Sequence, residues 1–288
     1  MDLFQLGNVA LQQMLIARGV ESHVEPINGA TLHYYRLKGK GSGPPVLLLH
    51  GLGSNAHAFF RLYFPLAQHF SELWIPDLPG NGFSPLPAKG PPSLEEHVRI
   101  LVALIEEKIR KRVWLIGTSL GGAMSFYLAH HAPQHLVALT VIAPAGAKLA
   151  PERFAEMVRS FDIKQPADAR AIARRLYDRP PWAVVLFAPK LFKAIYGSAA
   201  VQAALKEVKP EDSVDEQMLA SLKPPTMLIW GKSEKLLPYE SIEYFRKHLP
   251  ATAEVHEVDG FGHVPQMERP KKLLALLLAF ARKQKLIA

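Results

Sequence analysis

VWLIGTSLG, residues 113–121, joins a short apolar run to a Gly-x-Ser-x-Gly turn, and helical spacing follows from Gly122 to His130. The apolar run is entered from a charged stretch, and its length and composition indicate a strand that is buried on both faces. Strand, turn and helix together are typical of a nucleophile elbow, which presents a serine hydroxyl above the edge of a sheet. An ordinary glycine-rich turn with an incidental serine has the same pattern, so the rest of the chain must decide between the two.

The elbow makes specific demands on the backbone. Its turn is so tight that Ser119 must adopt a strained conformation, and Gly117 and Gly121 lack the Cβ atoms that would collide there. The following helix directs its positive end towards the turn, which favours negative charge at that point. The pattern therefore predicts a reactive serine at residue 119.

The composition excludes several classes of chemistry. The chain has 288 residues, of which 49% are hydrophobic, and it contains no cysteine. Disulfides, a thiol nucleophile and thiolate metal sites are therefore excluded, which is typical of a cytosolic protein. No His-Glu-x-x-His sequence and no Gly-x-Gly-x-x-Gly strand-to-helix turn occurs, so we expect neither a metal site nor a dinucleotide cofactor.

The formal net charge of +8 raises the question of an anionic partner. No basic stripe interleaved with aromatic residues is present, so nucleic acid is not expected as a partner. Positive charge is concentrated at residues 108–112 and 271–285. This distribution predicts a solvated basic surface, which anionic lipid would attract.

The N-terminal residues bear on the location of the protein. Residues 1–10 include Asp2 and no basic segment, so no secretory signal is expected, and no apolar run reaches the roughly 18 residues of a membrane span. Apolar residues at helical spacing predict a helix over about residues 2–18, docked on the domain, with an interfacial membrane anchor as the alternative. We therefore expect a cytoplasmic protein, with peripheral contact at the inner membrane face left open. The oligomeric state is open as well.

Strand and helix patterns alternate through most of the chain. Residues 20–26 and 31–37 alternate apolar and polar side chains around Asn28-Gly29, which predicts an antiparallel hairpin. Further strands are predicted at residues 46–49, 73–76, 113–116, 139–143, 226–230 and 254–258. Helical segments separate most of these strands, which predicts an α/β fold with a mostly parallel central sheet and helices on both faces.

This alternation breaks between residues 147 and 223, where helical periodicity is punctuated by prolines. The break predicts an inserted helical cap, with the core domain formed by residues 1–146 and 224–288. Aromatic residues of the cap are candidates either for its own core or for a substrate pocket. The pocket candidates are Phe154, Phe161, Trp182, Phe187, Phe192 and Tyr196.

Three reactive side chains, Ser119, Glu234 and His263, each come just past a predicted strand end. Because ligands and reactive groups collect at the carboxyl ends of parallel strands, we expect the three to meet. A serine hydroxyl becomes a good nucleophile when a base held by a carboxylate lies within hydrogen-bond reach. A solvated loop carboxylate is the alternative for Glu234, and Asp77 is interpreted as a structural residue that fixes its own loop.

A glycine-rich turn, His50 to Gly53, follows the predicted strand at residues 46–49. Such a turn leaves backbone N–H groups free to contact a ligand, and acyl transfer needs two such donors at the developing oxyanion. We assign these donors to the N–H of Leu52 and to the N–H of Leu120, the residue after the serine.

Several motifs together resemble those of the α/β-hydrolase superfamily. They are His50-Gly51, the stretch from Gly117 to Gly122, Pro144-Ala145-Gly146, Trp230-Gly231-Lys232, and Gly262-His263 with the later Met267-Glu268-Arg269-Pro270. Within the superfamily, the chain is similar to bacterial esterases and lipases close to the monoacylglycerol lipases of the α/β-hydrolase-domain family. The resemblance extends from about residue 24 to the C-terminus and is weaker through the cap.

The resemblance implies roles for individual residues, and we expect no cofactor. It implies Ser119 as nucleophile, His263 as general base and acid, and the N–H groups of Leu52 and Leu120 as the oxyanion hole. The family usually has aspartate where this chain has Glu234, whose extra methylene lengthens the reach by about 1.5 Å, although either acid can serve in this fold. Serine at residue 119 argues against haloalkane dehalogenases and epoxide hydrolases, which use a carboxylate there.

Three functions are compatible with these motifs. The first is hydrolysis of a small-molecule or lipid carboxylic ester, such as a monoacylglycerol or an ester of a short to medium acyl chain. The second is cleavage of a carbon–carbon bond in a ring-cleavage product, for which Arg174, Arg175 or Arg179 would hold a carboxylated substrate. The third is ligand binding without catalysis on the same fold.

Overall fold

The computed structural model describes residues 3–288. Met1 and Asp2, with which the predicted core domain and N-terminal helix begin, lie outside the described residues. In the described part, strands β1 to β8 are Glu21–Ile27, Ala30–Lys38, Val46–Leu49, Glu72–Pro76, Val113–Thr118, Leu136–Ile142, Thr226–Gly231 and Glu254–Val258. Helices α1 to α12 are Leu3–Ala17, Phe60–Ala67, Leu94–Ala103, Leu120–His131, Pro151–Arg159, Pro166–Leu176, Trp182–Tyr196, Ala199–Glu207, Glu216–Ala220, Glu240–His248, Pro265–Glu268 and Pro270–Lys283.

The eight described strands form one sheet in the order β1-β2-β4-β3-β5-β6-β7-β8. Strand β2 pairs antiparallel with both β1 and β4, and all other neighbours are parallel. Because parallel strands end at the same edge, the loops after β3, β5, β7 and β8 meet there. The predicted mostly parallel sheet is confirmed, and this edge carries the candidate site.

The predicted hairpin between β1 and β2 is also confirmed. Asn28 and Gly29 have φ angles of 44° and 78°, and Ile27 pairs with Ala30 across the turn. Two successive residues with positive φ are what a type I′ turn requires, and Asn-Gly adopts that conformation at little cost.

Different helices cover the two faces of the sheet. Alternate residues of β3 and β5 enter opposite apolar clusters, with Leu47 and Leu115 in one and Leu48 and Ile116 in the other. Side chains from α3, α4 and α10 complete the first cluster, and side chains from α1, α2 and α12 complete the second. Burial of both faces explains why these strands are continuous apolar runs.

Helices α5 to α9 lie between β6 and β7, within the residues for which the sequence predicts a cap. They have an apolar cluster of their own, which includes Phe161, Ile172, Phe192 and Tyr196. Val264 and Leu52, from the loops at the sheet edge, pack against this cluster. The inserted helices therefore cover the edge at which the parallel strands end.

Helix α1 lies against the second face. Leu15 is fully buried, and Asn8 Oδ1 lies 3.1 Å from His57 Nδ1 and 3.3 Å from Asn55 Nδ2. Gln12 Nε2 donates to Ser22 Oγ at 3.2 Å. The helix is thus joined by polar contacts to β1 and to the loop after β3.

Within residues 3–288, no single helix has the length and apolar content needed to cross a bilayer. The pair α7 and α8, bent by 68°, meets that criterion of length and composition when the two helices are taken together.

Candidate active site

Ser119 sits at the turn between β5 and α4 with φ 53° and ψ −120°. Its N–H donates to the carbonyl of Ile142, and its own carbonyl accepts from the N–H of Ala145. A Cβ at Gly117 would overlap Ser125 Oγ, and a Cβ at Gly121 would lie 2.5 Å from the carbonyl oxygen of Leu49. Both glycines are therefore required for the tight turn, as expected from the sequence.

His263 lies on the loop after β8 and is only 3% exposed. Its N–H donates to the carbonyl of Leu176 at the end of α6, and its Nδ1 lies 2.8 Å from Glu234 Oε2. The preceding Gly262 packs so closely on the backbone of Tyr177 and Asp178 that a Cβ would lie 2.6 Å from Asp178 N. The cap and the core domain together hold this imidazole.

Glu234 is held on both of its carboxylate oxygens. Oε2 contacts the His263 ring, while Oε1 accepts from the N–H of Leu236 at 2.6 Å and of Leu237 at 3.0 Å. The side chain is 1% exposed, so the alternative of a solvated loop carboxylate does not describe its surroundings. Because one oxygen is fixed by its own loop, the other is directed at the ring.

The three predicted residues are brought together only in part. Glu234 and His263 are in contact, whereas Ser119 Oγ makes no hydrogen bond to the His263 ring in the described structure. Ser119 instead packs beside Gly51, where a Cβ would lie 2.9 Å from Ser119 Cβ. Hydrogen bonds of this kind are often long without substrate and shorten when one binds.

The two predicted oxyanion donors flank this serine. Leu52 follows Gly51, and Leu120 begins α4, where first-turn N–H groups have no partner within the helix. Neither N–H has an acceptor among residues 3–288. Both are therefore available to an oxygen atom bound near Ser119.

His50 is a further residue of the site whose role the sequence did not reveal. Its Nδ1 lies 2.8 Å from the carbonyl oxygen of Gly51, and its Nε2 accepts from the N–H of Leu78 at 2.9 Å. Because Nε2 accepts a hydrogen bond it carries no proton, so the one proton of the ring lies on Nδ1, and burial lowers the pKa of His50 in the direction that favours this neutral form. The carbonyl of Gly51 and the N–H of Leu52 belong to one peptide unit, so the ring fixes the direction of that donor.

Asp77 holds the loop after β4. It accepts from Ala56 N at 2.7 Å and Phe83 N at 2.9 Å, and its Oδ2 lies 2.7 Å from His33 Nδ1. Burial alone raises the pKa of Asp77, but the His33 contact and the backbone N–H group of Ala56 outweigh it and keep the pKa below its usual value. These contacts agree with the structural interpretation of Asp77.

Glu268 braces the backbone around His263. Its Oε1 accepts from Gly262 N at 2.5 Å, and its Oε2 accepts from Asp178 N at 3.0 Å, so it joins the β8 loop to the end of the cap helix α6. Burial raises the pKa of Glu268. The sequence carried no signal for this contact beyond the motif in which Glu268 occurs.

A cavity of about 370 Å³ opens onto Ser119, Leu120 and Leu52. Its walls are mostly apolar and come from the core domain, from helices α5 and α8 of the cap, and from residues that follow these two helices. The cap residues among them include Phe154, Met157, Phe161, Val201, Ala204 and Leu205.

The structure corrects the predicted pocket at four of its six positions. Phe154 and Phe161 line the cavity. Phe192 and Tyr196 are instead buried in the cap's own cluster, while Trp182 and Phe187 are 77% and 56% exposed. These four residues all belong to α7, whose inner face packs within the cap and whose outer face points to solvent. The small residues of α8 line the cavity in their place.

The arginines considered for a carboxylated substrate lie elsewhere. Arg174 and Arg179 are exposed, and Arg175 donates to the carbonyls of Lys235 and Leu236. None of the three lines the cavity at Ser119. Within residues 3–288, no group of three or more histidine, aspartate or glutamate side chains could hold a metal ion.

A family model described as the alpha/beta hydrolase family matches residues 46–276, which is most of the chain. The chain belongs to this family. The recognition of an α/β-hydrolase from its motifs is therefore confirmed, and the protein is a hydrolase rather than a non-catalytic binding protein.

Curated relatives of this hydrolase include lipases. Lipase 1 of Psychrobacter immobilis is 28% identical over 247 residues, covering 81% of this chain and 75% of that protein. Monoacylglycerol lipase ABHD6 of Bos taurus is 24% identical over 264 residues, covering 85% of this chain and 78% of that protein.

Solved structures share the fold of the hydrolase. A membrane phospholipase A, described as a bacterial virulence factor, superposes with a TM-score of 0.81 at 23% identity, covering 96% of this chain and 92% of that one. The 2-hydroxy-6-oxo-6-phenylhexa-2,4-dienoate hydrolase of Rhodococcus sp. strain RHA1 superposes with a TM-score of 0.75 at 22% identity, covering 91% and 99%. At these identities the likeness concerns the fold alone.

Proposed function

We propose that the hydrolase cleaves carboxylic esters of lipophilic acids, with Ser119 as nucleophile, His263 as general base and acid, and Glu234 as the carboxylate that orients the ring. The observation that carries this proposal is the contact of 2.8 Å between His263 Nδ1 and Glu234 Oε2. A buried carboxylate at Nδ1 leaves Nε2 free to accept a proton and stabilises the imidazolium that forms.

In the proposed acylation step, Ser119 Oγ attacks the carbonyl carbon of the ester while His263 Nε2 takes the hydroxyl proton. The N–H groups of Leu52 and Leu120 donate to the oxyanion of the tetrahedral intermediate, because both lack another acceptor. Collapse of this intermediate breaks the bond to the alcohol, which leaves with the proton from His263. The products are the free alcohol and an acyl ester on Ser119.

In the proposed deacylation step, water repeats the same chemistry. His263 takes a proton from water, the hydroxide adds to the acyl carbon, and the second tetrahedral intermediate expels Ser119 Oγ. The proton then returns from the imidazolium to Ser119, and the carboxylic acid is released. Over the whole cycle, one ester and one water molecule are consumed, and one alcohol and one carboxylic acid are formed.

The preference for lipophilic acids is supported by the cavity walls. Met157, Phe161 and Leu205 line a space of about 370 Å³ beside the serine, which suits a flexible alkyl chain. Lipases also occur among the relatives of the chain. The three cap arginines lie outside this cavity, so the structure offers no comparable support for a carboxylated ring-cleavage product.

A panel of nitrophenyl esters of increasing acyl length, assayed with the native enzyme and Ser119→Ala, tests the proposal. We expect turnover by the native enzyme and a loss of about 10⁴-fold or more in the variant, because the nucleophile is removed. A fluorophosphonate should label the native enzyme once. Ser42→Ala, a change at an exposed serine far from the sheet edge, should hydrolyse and label normally. Turnover of a ring-cleavage diketone faster than any ester would contradict the proposal, as would ester turnover that survives in Ser119→Ala.

A further inference from the structure

Helix α7 turns a largely apolar face to solvent. Trp182 is 77% exposed, and Leu186 and Phe187 are each 56% exposed. The outward residues of the helix, which we call the α7 outer face, are Trp182, Leu186, Phe187, Lys190, Lys193 and Ala194.

These outward residues form one continuous sector of the helix. At about 100° per residue, all six fall within an arc of about 140°. Ala188, Phe192 and Tyr196 lie on the opposite side and are buried within the cap. The core of the cap is therefore built by the inner face, and the exposed tryptophan, leucine and phenylalanine are not needed for it.

The charges on this face are of one sign. Helix α7 contains no aspartate or glutamate, and Lys190 and Lys193 lie between the exposed apolar side chains. Arg179, 87% exposed, lies just before the helix. Lysine stems can lie along an apolar surface while the ammonium groups reach phosphates, so this pattern fits an anionic lipid interface.

We propose that the α7 outer face docks the hydrolase on an anionic lipid surface, with the three large apolar side chains inserted among the lipids and the two lysines on their phosphates. The other end of α7 adjoins the candidate active site. Ile195 packs on Gly53, where a Cβ would lie 2.6 Å from Ile195 Cγ2, and Gly53 directly follows Leu52. The docked helix therefore borders the loop that carries an oxyanion donor.

A second copy of the chain is a poorer occupant. A two-fold contact through this face would bring together two copies of a patch that carries lysines and no acidic residue, so the charges of the two copies would repel and none could pair. Within residues 5–17, helix α1 is also less suited to lipid. Its exposed large apolar residues there, Leu6, Met14 and Ile16, are each less than half exposed, and the helix contains no lysine.

Flotation with vesicles tests the proposal. The full-length protein should float with vesicles of phosphatidylcholine and phosphatidylglycerol and much less with phosphatidylcholine alone. Combined Trp182→Ser, Leu186→Ser and Phe187→Ser should lower binding about tenfold or more, because the inserted area is lost. Combined Lys190→Glu and Lys193→Glu should lower binding to the anionic vesicles by roughly the same factor.

Two control variants match these changes. Combined Leu6→Ser, Met14→Ser and Ile16→Ser removes as many exposed apolar side chains from α1. Combined Lys40→Glu and Lys111→Glu makes the same change of charge at exposed residues that follow β2 and precede β5, at the edge opposite the site. Both controls should bind like the native protein.

Trp182 also reports directly on insertion. The other tryptophans, Trp74, Trp114 and Trp230, are 4%, 0% and 1% exposed, so a change in emission on adding vesicles comes from residue 182. The emission should shift to shorter wavelength and be quenched by brominated lipids. Trp182→Phe should still float but lose the shift.

These measurements do not depend on catalysis, so Ser119→Ala should float like the native protein even if the proposed ester hydrolysis is wrong. Three results would overturn the docking proposal. The first is undiminished flotation of the α7 serine variant, and the second is flotation without a change in Trp182 emission. The third is that the native protein does not bind vesicles but forms a dimer in light scattering, and that the α7 serine variant is monomeric.

Discussion

At the level of single residues, Glu234 shows how one methylene group can be accommodated in a catalytic loop. Its Oε1 accepts from Leu236 N and Leu237 N, so the side chain bends back over its own turn before Oε2 reaches His263. An aspartate is shorter by about 1.5 Å and could not make all three contacts from the same backbone. The longer acid is therefore matched to this particular loop.

Replacing Glu234 tests its proposed role as the orienting acid. Glu234→Gln keeps the size but removes the charge that stabilises imidazolium, so we expect kcat to fall by about 10²–10⁴-fold. Glu234→Asp keeps the charge and should lose less. The measurement is kcat on the preferred ester across pH, with thermal unfolding to show that each variant is folded. Equal kcat for native enzyme and folded Glu234→Gln would refute the assignment.

His50 is proposed as a positioning residue that acts through the Gly51–Leu52 peptide. Its ring donates to the Gly51 carbonyl and accepts from Leu78 N, which fixes the orientation of the peptide unit that carries the Leu52 N–H. Because this donor is proposed to act on the oxyanion of the transition state, its misalignment should affect kcat more than KM.

For His50→Gln we therefore expect kcat to fall by about 10- to 100-fold with little change in KM. Affinity for a phosphonate transition-state analogue should fall in parallel. His57→Gln is the matched control, since His57 is also buried and neutral but contacts Tyr35 and Asn8 instead of the Gly51 carbonyl. An unchanged kcat in folded His50→Gln, or an equal loss of kcat in His57→Gln, would contradict the role given to His50.

At the level of elements, the parts of the chain that were predicted correctly are those whose signals are local. The turn at Asn28-Gly29 and the elbow at Ser119 need particular residues at adjacent positions, so a few letters define them. The pairing of Glu234 with His263 was also predictable, because both follow parallel strands that end at one edge. In each case the sequence contains the constraint itself.

The cap was less predictable because its helix α7 is apolar on more than one side. In α7, Trp182 and Phe187 resemble Phe192 and Tyr196 in kind, and only the neighbouring helices decide which pair is buried. Small residues such as Ala204 carry no signal of a pocket, although they line it. The absence of a hydrogen bond between Ser119 Oγ and the His263 ring in the described structure likewise depends on a side-chain distance that no sequence pattern encodes.

The α8 wall of the cavity offers a test of acyl-chain selection, which depends on the proposed ester hydrolysis. Ala204 lines the cavity, so Ala204→Phe should fill part of it and lower kcat/KM for long acyl esters about tenfold or more, while acetate and butyrate esters are spared. Ala203→Phe is the matched control one position earlier on the same helix, at a residue that does not line the cavity. A uniform loss across all chain lengths, or the same profile in both variants, would contradict this placement.

At the level of the whole molecule, the packing of the loops and helices on the site's side of the chain buries three histidines. Burial lowers the pKa of His50 and His97, and it lowers the pKa of His57 to about 4. His50 and His57 lie on the loop and turn after β3, and His97 lies in α3 beside the cavity. The same close packing that shapes the site therefore leaves it sensitive to acid.

The sign of this effect follows from the direction of the shifts. In the unfolded chain these three histidines take up protons below about pH 6.5, whereas in the folded protein their pKa values are lower, so the unfolded state binds more protons in this range. The free energy of unfolding should therefore fall between pH 6.5 and 5.5, and His57, with its pKa of about 4, accounts for about 1 kcal/mol of that fall. Asp77, whose pKa is lowered, loses its contribution only at lower pH, and Glu268, whose pKa is raised, opposes the trend.

Urea unfolding at pH 7.5, 6.5 and 5.5 measures this dependence. Relative to the native protein, His57→Gln should be less stable at pH 7.5, because the contacts of His57 with Tyr35 and Asn8 are lost. Its free energy of unfolding should nevertheless fall less steeply as the pH is lowered, because about one proton fewer is taken up on unfolding. His131→Gln, a change at an exposed histidine, should leave the slope as it is. The same slope in native protein and His57→Gln would show that the His57 ring takes up a proton in the fold as readily as in the unfolded chain, which would contradict its lowered pKa.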